Sequence, residues 1–233
     1  MLEVVNLSAR YGRAQILNDV SLTLAQHEVV ALLGRNGAGK TTTMKCIMGL
    51  VDKKRGEIRY DGQSLMKLAP HMICRAGIGY VPEERRIFPE LTVEENLEVG
   101  RRPAREGAPV WSEEHLFELF PNLAERRRNL GKQLSGGEQQ MLTIARTLMG
   151  NPRAVLLDEP SEGIAPVIVE QMARVIAELK GQGLSVLISE QNLHFARAVA
   201  DRAIIIEKGT LRFEGRFDEL DARPEISQQY LAV

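Results

Sequence analysis

A glycine-rich run, GRNGAGKT at residues 34–41, constrains this chain more than any other segment because it lies between a short apolar stretch and a helix-forming one. It fits the pattern G-x-x-x-x-G-K-[ST]. Glycines let the backbone curl so that successive N–H groups point at phosphate oxygens, and the following helix adds the positive end of its dipole. The pattern predicts a loop that binds the phosphates of a nucleotide. The residues assigned to this site are Gly34, Arg35, Asn36, Gly37, Ala38, Gly39, Lys40, Thr41 and Thr42.

Two residues of this loop and two acidic residues elsewhere have predicted chemical roles. Lys40 is expected to reach the outer phosphates, and the Thr41 hydroxyl is expected to bind Mg²⁺. The run AVLLDEP at residues 154–160 brings Asp158 and Glu159 to the carboxyl end of a buried strand, where open α/β sheets bind ligands. Asp158 is predicted to hold Mg²⁺ through water, and Glu159 to act as the general base or orienting group for an attacking water.

Composition excludes several classes of protein. The 233 residues carry 30 Lys and Arg against 31 Asp and Glu, a net charge of −1, so the basic surface of a dedicated duplex-DNA binder is not expected. The longest uninterrupted apolar stretch, residues 29–33, is far shorter than the roughly 20 residues of a membrane helix. Two cysteines make no disulfide framework. We therefore expect a soluble cytoplasmic protein with no nucleic-acid partner.

The spacing of apolar residues predicts a mostly parallel sheet with helices on both faces. Strands are predicted at 2–5, 20–24, 28–33, 56–60, 154–157, 184–188, 203–206 and 210–214, and helices at 40–50, 93–99, 112–120, 136–149, 168–179 and 193–199. The alternation of strands and helices after residue 150 indicates βαβ units. We interpret residues 83–150 as a helical subdomain inserted into a lobe formed by about 1–82 and 151–233. Lys208-Gly209 is predicted to form a hairpin turn.

A third motif, LSGGEQQ at residues 134–140, lies between the phosphate loop and the acidic pair. By residue type alone, Ser135 followed by Glu138 is also an ordinary helix start, with a serine cap and an acidic first turn. The motif matches the signature of the ATP-binding-cassette (ABC) ATPases, and the order of the three motifs agrees, so the chain resembles that family over nearly its whole length. The resemblance implies a single nucleotide-binding domain over residues 1–233, an α/β fold of the phosphate-loop NTPase type. It would have a mostly parallel core, an antiparallel β subdomain and a helical subdomain carrying the signature.

The resemblance also implies an ATPase that works in pairs. Each ATP would lie between the phosphate loop of one protomer and the signature of the other, where Ser135 and Gly137 would contact the γ-phosphate. Gly136 and Glu138 belong to the same nucleotide-binding segment. Tyr11, just after the first strand, resembles the aromatic residue that stacks on adenine in this family, and the alternative is an ordinary turn tyrosine.

Two positions depart from the usual pattern of the family. Glu83 stands where most members have glutamine; it can still bind Mg²⁺ or its water, but it adds negative charge beside the phosphates. Gln191 stands where most have a switch histidine; it can donate a hydrogen bond to the γ-phosphate, but its amide does not titrate. His194 is expected to be a surface or packing histidine. No proton shuttle is therefore predicted at this position.

Three segments, at residues 81–97, 161–166 and 190–192, resemble the ATPase subunits of bacterial branched-chain (hydrophobic) amino acid importers. Urea and amide importers share much of the pattern. The implied partners are membrane permease subunits, a second ATPase subunit of the same or a different sequence and, indirectly, a periplasmic substrate-binding protein. The protein would lie on the inner face of the cell membrane. A groove near residues 83–97 is expected to receive the permease, although its apolar residues could instead be a packing patch.

Two alternative classes fit less well. A cassette ATPase acting on DNA or the ribosome is expected to have a long coiled-coil insertion or two cassettes in one chain, and neither is visible. A phosphate-loop kinase or GTPase leaves the segment SGGE at residues 135–138 without a role, and no Asn-Lys-x-Asp segment is present.

Overall fold

The computed structural model describes residues 1–231, and its larger β-sheet carries the nucleotide-binding motifs. The strands of this sheet are β3 (Val29–Leu33), β6 (Ile78–Val81), β7 (Ala154–Asp158), β8 (Ser185–Glu190), β9 (Arg202–Glu207) and β10 (Thr210–Arg216). Their order is β10-β9-β3-β8-β7-β6, and all neighbours are parallel except β9 and β10. Every residue of β3, β7 and β8 is buried, as expected when helices cover both faces.

A second sheet of four antiparallel strands lies beside the first. Its strands are β1 (Leu2–Tyr11), β2 (Ala14–Leu24), β4 (Lys54–Tyr60) and β5 (Gln63–Ser64), in the order β2-β1-β4-β5. In β1, Leu2, Val4, Leu7 and Ala9 are buried, and most of the intervening residues are half-buried or exposed. This sheet therefore has one face in the core and one toward solvent.

Helices surround the sheets. They are α1 (Lys40–Ile47), α2 (Pro70–Ala76), α3 (Val93–Gly100), α4 (Glu113–Leu119), α5 (Pro121–Ala124), α6 (Gly136–Leu148), α7 (Pro166–Gly181), α8 (Leu193–Val199), α9 (Phe217–Asp221) and α10 (Pro224–Tyr230), with a 3₁₀ turn at Gly131–Gln133. None of the helices within residues 1–231 combines the length and the apolar character needed to span a bilayer.

The central strands separate two apolar cores. Leu156 and Leu187 pack in the core that includes α1 and the four-stranded sheet. Val155 and Val186, one position earlier in each strand, pack in the core that includes α6 and α7. Because side chains alternate across a strand, both sets must be apolar, and this explains the continuous apolar runs in the sequence.

The block at residues 83–150 is helical, in agreement with the secondary structure predicted for it. It contains α3 to α6, and within the described residues only an isolated bridge between Thr92 and Leu130 has β geometry. A capping box at Thr92 and Glu95 begins α3. The division of the chain into a catalytic lobe and a helical subdomain stays a prediction.

Several element boundaries differ from the predicted ones. β1 continues to Tyr11 instead of ending at residue 5, because its polar second half pairs with β2 and β4 through irregular registers. Asn6 has a φ of 48° at such an irregularity. The helix α1 ends at Ile47, and Gly49, with a φ of 71°, follows it. The helix α2 was not predicted from the sequence.

The predicted hairpin turn at Lys208 and Gly209 is confirmed, with φ values of 48° and 76°. The Gly209 N–H donates to the Ala38 carbonyl over 2.8 Å, and the Gly209 carbonyl accepts from the Asn18 N–H over 2.7 Å. A Cβ atom at Gly209 would collide with the Ile16 carbonyl. The turn therefore contacts both the phosphate loop and the four-stranded sheet.

Candidate nucleotide site

The phosphate loop connects β3 to α1 and borders a cavity of about 310 Å³. The cavity is lined by Ile16, Asn36, Gly37, Ala38, Gly39, Lys40, Thr41, Thr42, Glu83 and Glu159. Gly39 begins α1 with a φ of 114°, a backbone conformation that favours glycine. Gly34 and Arg35 do not line the cavity, but their carbonyls accept hydrogen bonds from the Lys40 ammonium over 2.7 and 3.2 Å. The structure therefore assembles the predicted loop around one cavity.

The third contact of the Lys40 ammonium is with Glu159. Its Nζ lies 3.0 Å from Glu159 Oε1, and both side chains are almost fully buried. An ammonium has three donors, and these three acceptors use all of them. A phosphate oxygen can therefore bind Lys40 only by replacing one of these acceptors.

Asp158 is fully buried at the end of β7 and is held by three hydroxyl groups. Its Oδ1 accepts from Thr41 Oγ1 over 3.1 Å and from Ser189 Oγ over 2.6 Å. Its Oδ2 accepts from the Tyr80 hydroxyl over 3.0 Å. Burial and the Asp158 charge raise the pKa of Tyr80, so its hydroxyl remains a donor. Tyr80 and Ser189 were not predicted as site residues.

The predicted metal ligands fit Mg²⁺ bound with water and phosphate oxygens rather than by protein alone. Thr41 and Asp158 touch, and Glu83 lines the same cavity. No group of three or more His, Cys, Asp or Glu side chains in residues 1–231 forms a self-sufficient metal site. Mg²⁺ commonly binds through one or two carboxylates together with substrate phosphates. Burial and the nearby carboxylates raise the pKa of Glu83.

Glu159 has a left-handed backbone, with a φ of 46°, which is uncommon for a residue with a side chain. Its N–H contacts both the carbonyl and the hydroxyl of Ser189, over 3.1 and 3.0 Å. Its Oε2 accepts a 2.7 Å hydrogen bond from Gln191 Nε2. The structure thus brings the two predicted catalytic residues into direct contact.

The charge state of Glu159 depends on its neighbours. Burial acts to raise its pKa, but hydrogen bonds from Glu162 and Gln191, together with the nearby ammonium, lower the pKa overall. The carboxyl of Glu162 donates to Glu159, and this contact, with burial and the Glu159 charge, raises the pKa of Glu162 to about 7. Glu162 therefore binds a proton more readily than Glu159, which remains a carboxylate.

Glu190 is a buried supporting residue that sequence reasoning missed. Only 2% of its surface is exposed. Its carboxylate accepts from the backbone N–H groups of Ser161, Gln191 and Asn192 over 3.0 to 3.3 Å. It therefore fixes the loop after Glu159 against the segment that carries Gln191.

The signature segment lies outside the cavity of the same chain. Ser135 caps α6: its hydroxyl accepts from the Glu138 N–H over 3.4 Å, and the Glu138 carboxylate accepts from the Ser135 N–H over 2.7 Å. Gly136 and Gly137 form the first turn of the helix. In the described part of the chain, no hydrogen bond or ion pair joins Ser135, Gly136, Gly137 or Glu138 to the phosphate loop. The ordinary helix-start interpretation of this motif is therefore correct at the local level.

Tyr11 lies at the end of β1, 48% exposed, where it pairs with Ala14 across the turn to β2. It does not line the cavity, although Ile16 on β2 does. Its assignment to adenine stays a prediction.

A family model described as ABC transporter matches residues 17–162, a span that contains the phosphate loop, the signature and the acidic pair. The chain belongs to the ABC transporter family. This ABC ATPase is therefore an ATP-binding and ATP-hydrolysing subunit, and such subunits dimerise and act with membrane permease subunits. The family assignment confirms the predicted fold class and excludes the kinase and GTPase alternatives.

Relatives of this ABC ATPase belong to transport systems for different compounds. BraG of Pseudomonas aeruginosa, a high-affinity branched-chain amino acid transport ATP-binding protein, is 41% identical over 231 residues, which cover 99% of both chains. LptB of Haemophilus influenzae, a lipopolysaccharide export system ATP-binding protein, is 38% identical over 233 residues, covering 99% of this chain and 97% of LptB.

Solved structures of ABC cassettes have the same fold. The ATP-binding subunit of an ABC transporter matches with a TM-score of 0.83 at 30% identity, covering 97% of this chain and 94% of that chain. A dimeric ATP-binding cassette bound to ADP and Pi matches with a TM-score of 0.79 at 25% identity, covering 93% of this chain and 98% of that chain.

Proposed function

We propose that this ABC ATPase powers a bacterial importer of branched-chain or other hydrophobic amino acids. The observation that carries the proposal is the full-length identity of 41% to BraG, a branched-chain amino acid transport protein. The three segments that resemble this group of importers supply Glu83, which lines the cavity, and Glu162 and Gln191, which contact Glu159. Lipopolysaccharide export is the second candidate, because LptB is 38% identical. Urea or amide import is the third.

The proposed catalytic site is completed by a second ATPase protomer. One chain supplies the cavity at the phosphate loop but keeps its own signature outside it. The start of a helix binds anions through free N–H groups and the helix dipole. Ser135 and Gly137 are therefore suited to the γ-phosphate of a nucleotide held by the partner. Tyr11 is proposed to stack on the adenine of its own protomer's nucleotide.

The proposed reaction is attack of water on the γ-phosphorus of ATP, which breaks the bond to the bridging oxygen and forms ADP and inorganic phosphate. Lys40 would bind a γ-phosphate oxygen in exchange for its contact with Glu159. The released carboxylate can then accept a hydrogen bond, and finally a proton, from the attacking water. Gln191, which now donates to Glu159, can donate to the γ-phosphate with the same amide.

Mg²⁺ is proposed to be held by Thr41 and Asp158, with Glu83 at the edge of the same cavity. When bound, the ion would neutralise charge on the phosphate oxygens. Tyr80 and Ser189 hold the two carboxylate oxygens of Asp158 by hydrogen bonds. The orientation of Asp158 therefore does not depend on the ligand.

The permease is proposed to dock in a groove of about 590 Å³ between α2, α3 and α6. The groove contains part of the predicted segment at 83–97, since Phe88 lines it and is 44% exposed. Four arginines also line it: Arg75, Arg102, Arg105 and Arg146. Among residues 1–231 none of the four pairs with a carboxylate, so the groove combines apolar surface with positive charge. It suits a short permease helix that presents an apolar and an acidic side chain.

Reconstitution tests the proposed function. The ATPase would be assembled in proteoliposomes with branched-chain amino acid permeases and a periplasmic binding protein from the same organism. Branched-chain amino acids with the binding protein should raise ATP hydrolysis several-fold and drive uptake. Stimulation by urea or a short amide would move the assignment to that group of importers. Stimulation by lipopolysaccharide, with no response to any binding protein, would contradict import.

A further inference from the structure

Arg85 connects three segments of the chain, although the roles described above do not use it. It follows Glu83 and Glu84, is half-buried, and has a φ of 56°. Its carbonyl accepts a 2.7 Å hydrogen bond from the Thr143 hydroxyl in α6. Its guanidinium extends to the loop after Glu159 and to the start of α6.

The hydrogen bonds of the Arg85 guanidinium are long, and their acceptors are uncharged carbonyl groups. Nη2 lies 3.3 Å from the Glu162 carbonyl and 3.4 Å from the Gly163 carbonyl. Nη1 lies so close to Gly136 that a Cβ atom there would collide with it. A side chain at position 136 would therefore displace the guanidinium from this position. The guanidinium thus lies directly against the signature.

Arg85 and its neighbour Arg86 also differ in whether a carboxylate lies close to the guanidinium. Arg86 lies 3.6 Å from the Glu84 carboxylate. In the part of the chain that the structure describes, no carboxylate pairs with Arg85. Its guanidinium has five N–H donors, and two long contacts to carbonyls leave most of them unused. Such a cation is suited to a phosphate, which it can bind through two parallel hydrogen bonds.

We propose that Arg85 is an additional phosphate-binding residue that acts on the partner's nucleotide. The inference rests on the proposed arrangement of two protomers, in which the signature of one meets the γ-phosphate held by the other. Arg85 touches Gly136 of that signature, so the same approach carries its guanidinium to the same phosphate. The cation then acts only when two protomers meet around ATP and has no role in binding ADP by one protomer.

The test measures nucleotide binding by one protomer separately from the ATP-dependent closure of two protomers into a dimer. In the Glu159→Gln background, we would measure ADP affinity by titration and the ATP concentration that gives half-maximal dimer by light scattering. Arg85→Gln keeps an N–H donor for the two carbonyls but removes the charge, and Arg85→Lys keeps the charge. The expected result for Arg85→Gln is at least a tenfold rise in the ATP concentration needed, with ADP affinity unchanged. Arg85→Lys should recover most of the loss.

Two matched variants complete the experiment. Arg86→Gln removes the neighbouring charge and should leave both measurements unchanged. Ser135→Ala tests the proposed two-protomer site. If this variant leaves dimer formation unchanged, the proposed arrangement of two protomers around ATP is wrong. If Ser135→Ala impairs closure and Arg85→Gln does not, only the role of Arg85 is overturned. A loss of closure in Arg85→Lys equal to that in Arg85→Gln would also overturn it, because the charge would then be irrelevant.

Mixed dimers show on which nucleotide Arg85 acts. Lys40→Ala inactivates one phosphate loop, so a dimer of Lys40→Ala with Arg85→Gln has one working loop, which faces an intact Arg85. The double variant Lys40→Ala/Arg85→Gln mixed with unaltered protein has one working loop that faces the altered position. Each heterodimer would be isolated through a different affinity tag on each protomer, because the second mixture also contains fully active homodimers of unaltered protein. We expect ATP hydrolysis to be at least fivefold faster in the first heterodimer. The opposite order would place Arg85 on its own protomer's nucleotide and overturn the proposal.

Discussion

The amide of Gln191 donates a 2.7 Å hydrogen bond to the carboxylate of Glu159, so the residue predicted to sense the γ-phosphate directly contacts the residue predicted to activate the attacking water. The contact orients Glu159 and helps to lower its pKa. A primary amide has two N–H donors, so this contact leaves one N–H for the γ-phosphate in the proposed reaction. In the proposed site Gln191 therefore donates to both Glu159 and the γ-phosphate through one amide.

Replacing Glu159 with glutamine should separate nucleotide binding from turnover. An amide cannot accept a proton from water, so we expect phosphate release to fall by about 10²- to 10⁴-fold. ATP binding should persist, and a closed dimer should accumulate on size-exclusion chromatography. Glu162→Gln is the matched control, since Glu162 is exposed and the amide of a glutamine there can still donate a hydrogen bond to Glu159. Turnover near the unaltered rate in Glu159→Gln would refute the assigned role.

Replacing Gln191 with histidine should preserve or raise ATP hydrolysis, because an imidazole N–H can replace the amide as donor to the γ-phosphate. An unperturbed histidine titrates near pH 6.5. The variant should therefore acquire a pH dependence between about pH 6 and 7 that the amide cannot produce. Gln191→Ala should lower the rate at every pH. Steady-state rates across this range provide the measurement, and a change confined to thermal stability would argue against γ-phosphate sensing.

Lys40→Ala should weaken nucleotide binding. A hydrogen bond to a charged group contributes about 1.5–3 kcal/mol, so the dissociation constant should rise by about tenfold or more. The variant also leaves Glu159 buried without its cation, and we expect the pKa of Glu159 to rise. Lys45, on the same helix, does not line the cavity and provides the matched control as Lys45→Ala. Equal affinities in the two variants would contradict the assignment.

Tyr11→Ala tests the adenine prediction. Stacking of a base on an aromatic ring contributes about 1–3 kcal/mol in complexes of proteins with single-stranded nucleic acids, so ATP affinity should fall by about tenfold while Tyr11→Phe retains it. Inorganic triphosphate has no base, and its binding should not respond to either variant. A similar loss for triphosphate would show that Tyr11 acts through the fold and not through the base.

Thiol labelling should distinguish the two cysteines. Burial raises the pKa of the Cys46 thiol to about 12, so at pH 7.5 it is protonated, and it is also inaccessible. Cys74 is exposed and lines the groove proposed for the permease. Iodoacetamide should label Cys74 in the folded protein and both thiols in urea, as measured by mass spectrometry. Labelling of Cys46 in the folded state would contradict the buried position.

A larger label at Cys74 tests the groove itself. A maleimide carrying a bulky group should reduce co-purification with the permeases, because it fills space beside Arg75 and Arg105. Cys74→Ser cannot react and should co-purify equally well with or without the reagent. Full permease binding by labelled protein would show that the docking surface lies elsewhere.

The sequence was sufficient to locate the residues whose position depends on their immediate neighbours. Lys40 and Thr41 follow a buried strand and begin a helix, and Asp158 and Glu159 end another buried strand. These local patterns determine which side chains face the carboxyl edge of the sheet. The contact of Thr41 with Asp158 follows from two such ends meeting at one edge.

Contacts that depend on strand order were not predictable in the same way. Tyr80 and Ser189 bind Asp158 across 78 and 31 positions of sequence because β6 and β8 flank β7. Apolar periodicity identifies strands but does not say which strands are neighbours. The same limit applies to Glu190, whose apolar surroundings conceal a carboxylate with three backbone donors.

The turn at Lys208 and Gly209 has a mechanical consequence. Through Ala38 it is attached to the phosphate loop, and through Asn18 to the four-stranded sheet, in which Tyr11 ends β1. In the proposed site, the segments that bind the phosphates and the adenine are thus joined through this turn. An added methyl group at Gly209 would collide with the Ile16 carbonyl and would therefore change the distance between the phosphate loop and Tyr11 from a position outside the proposed site.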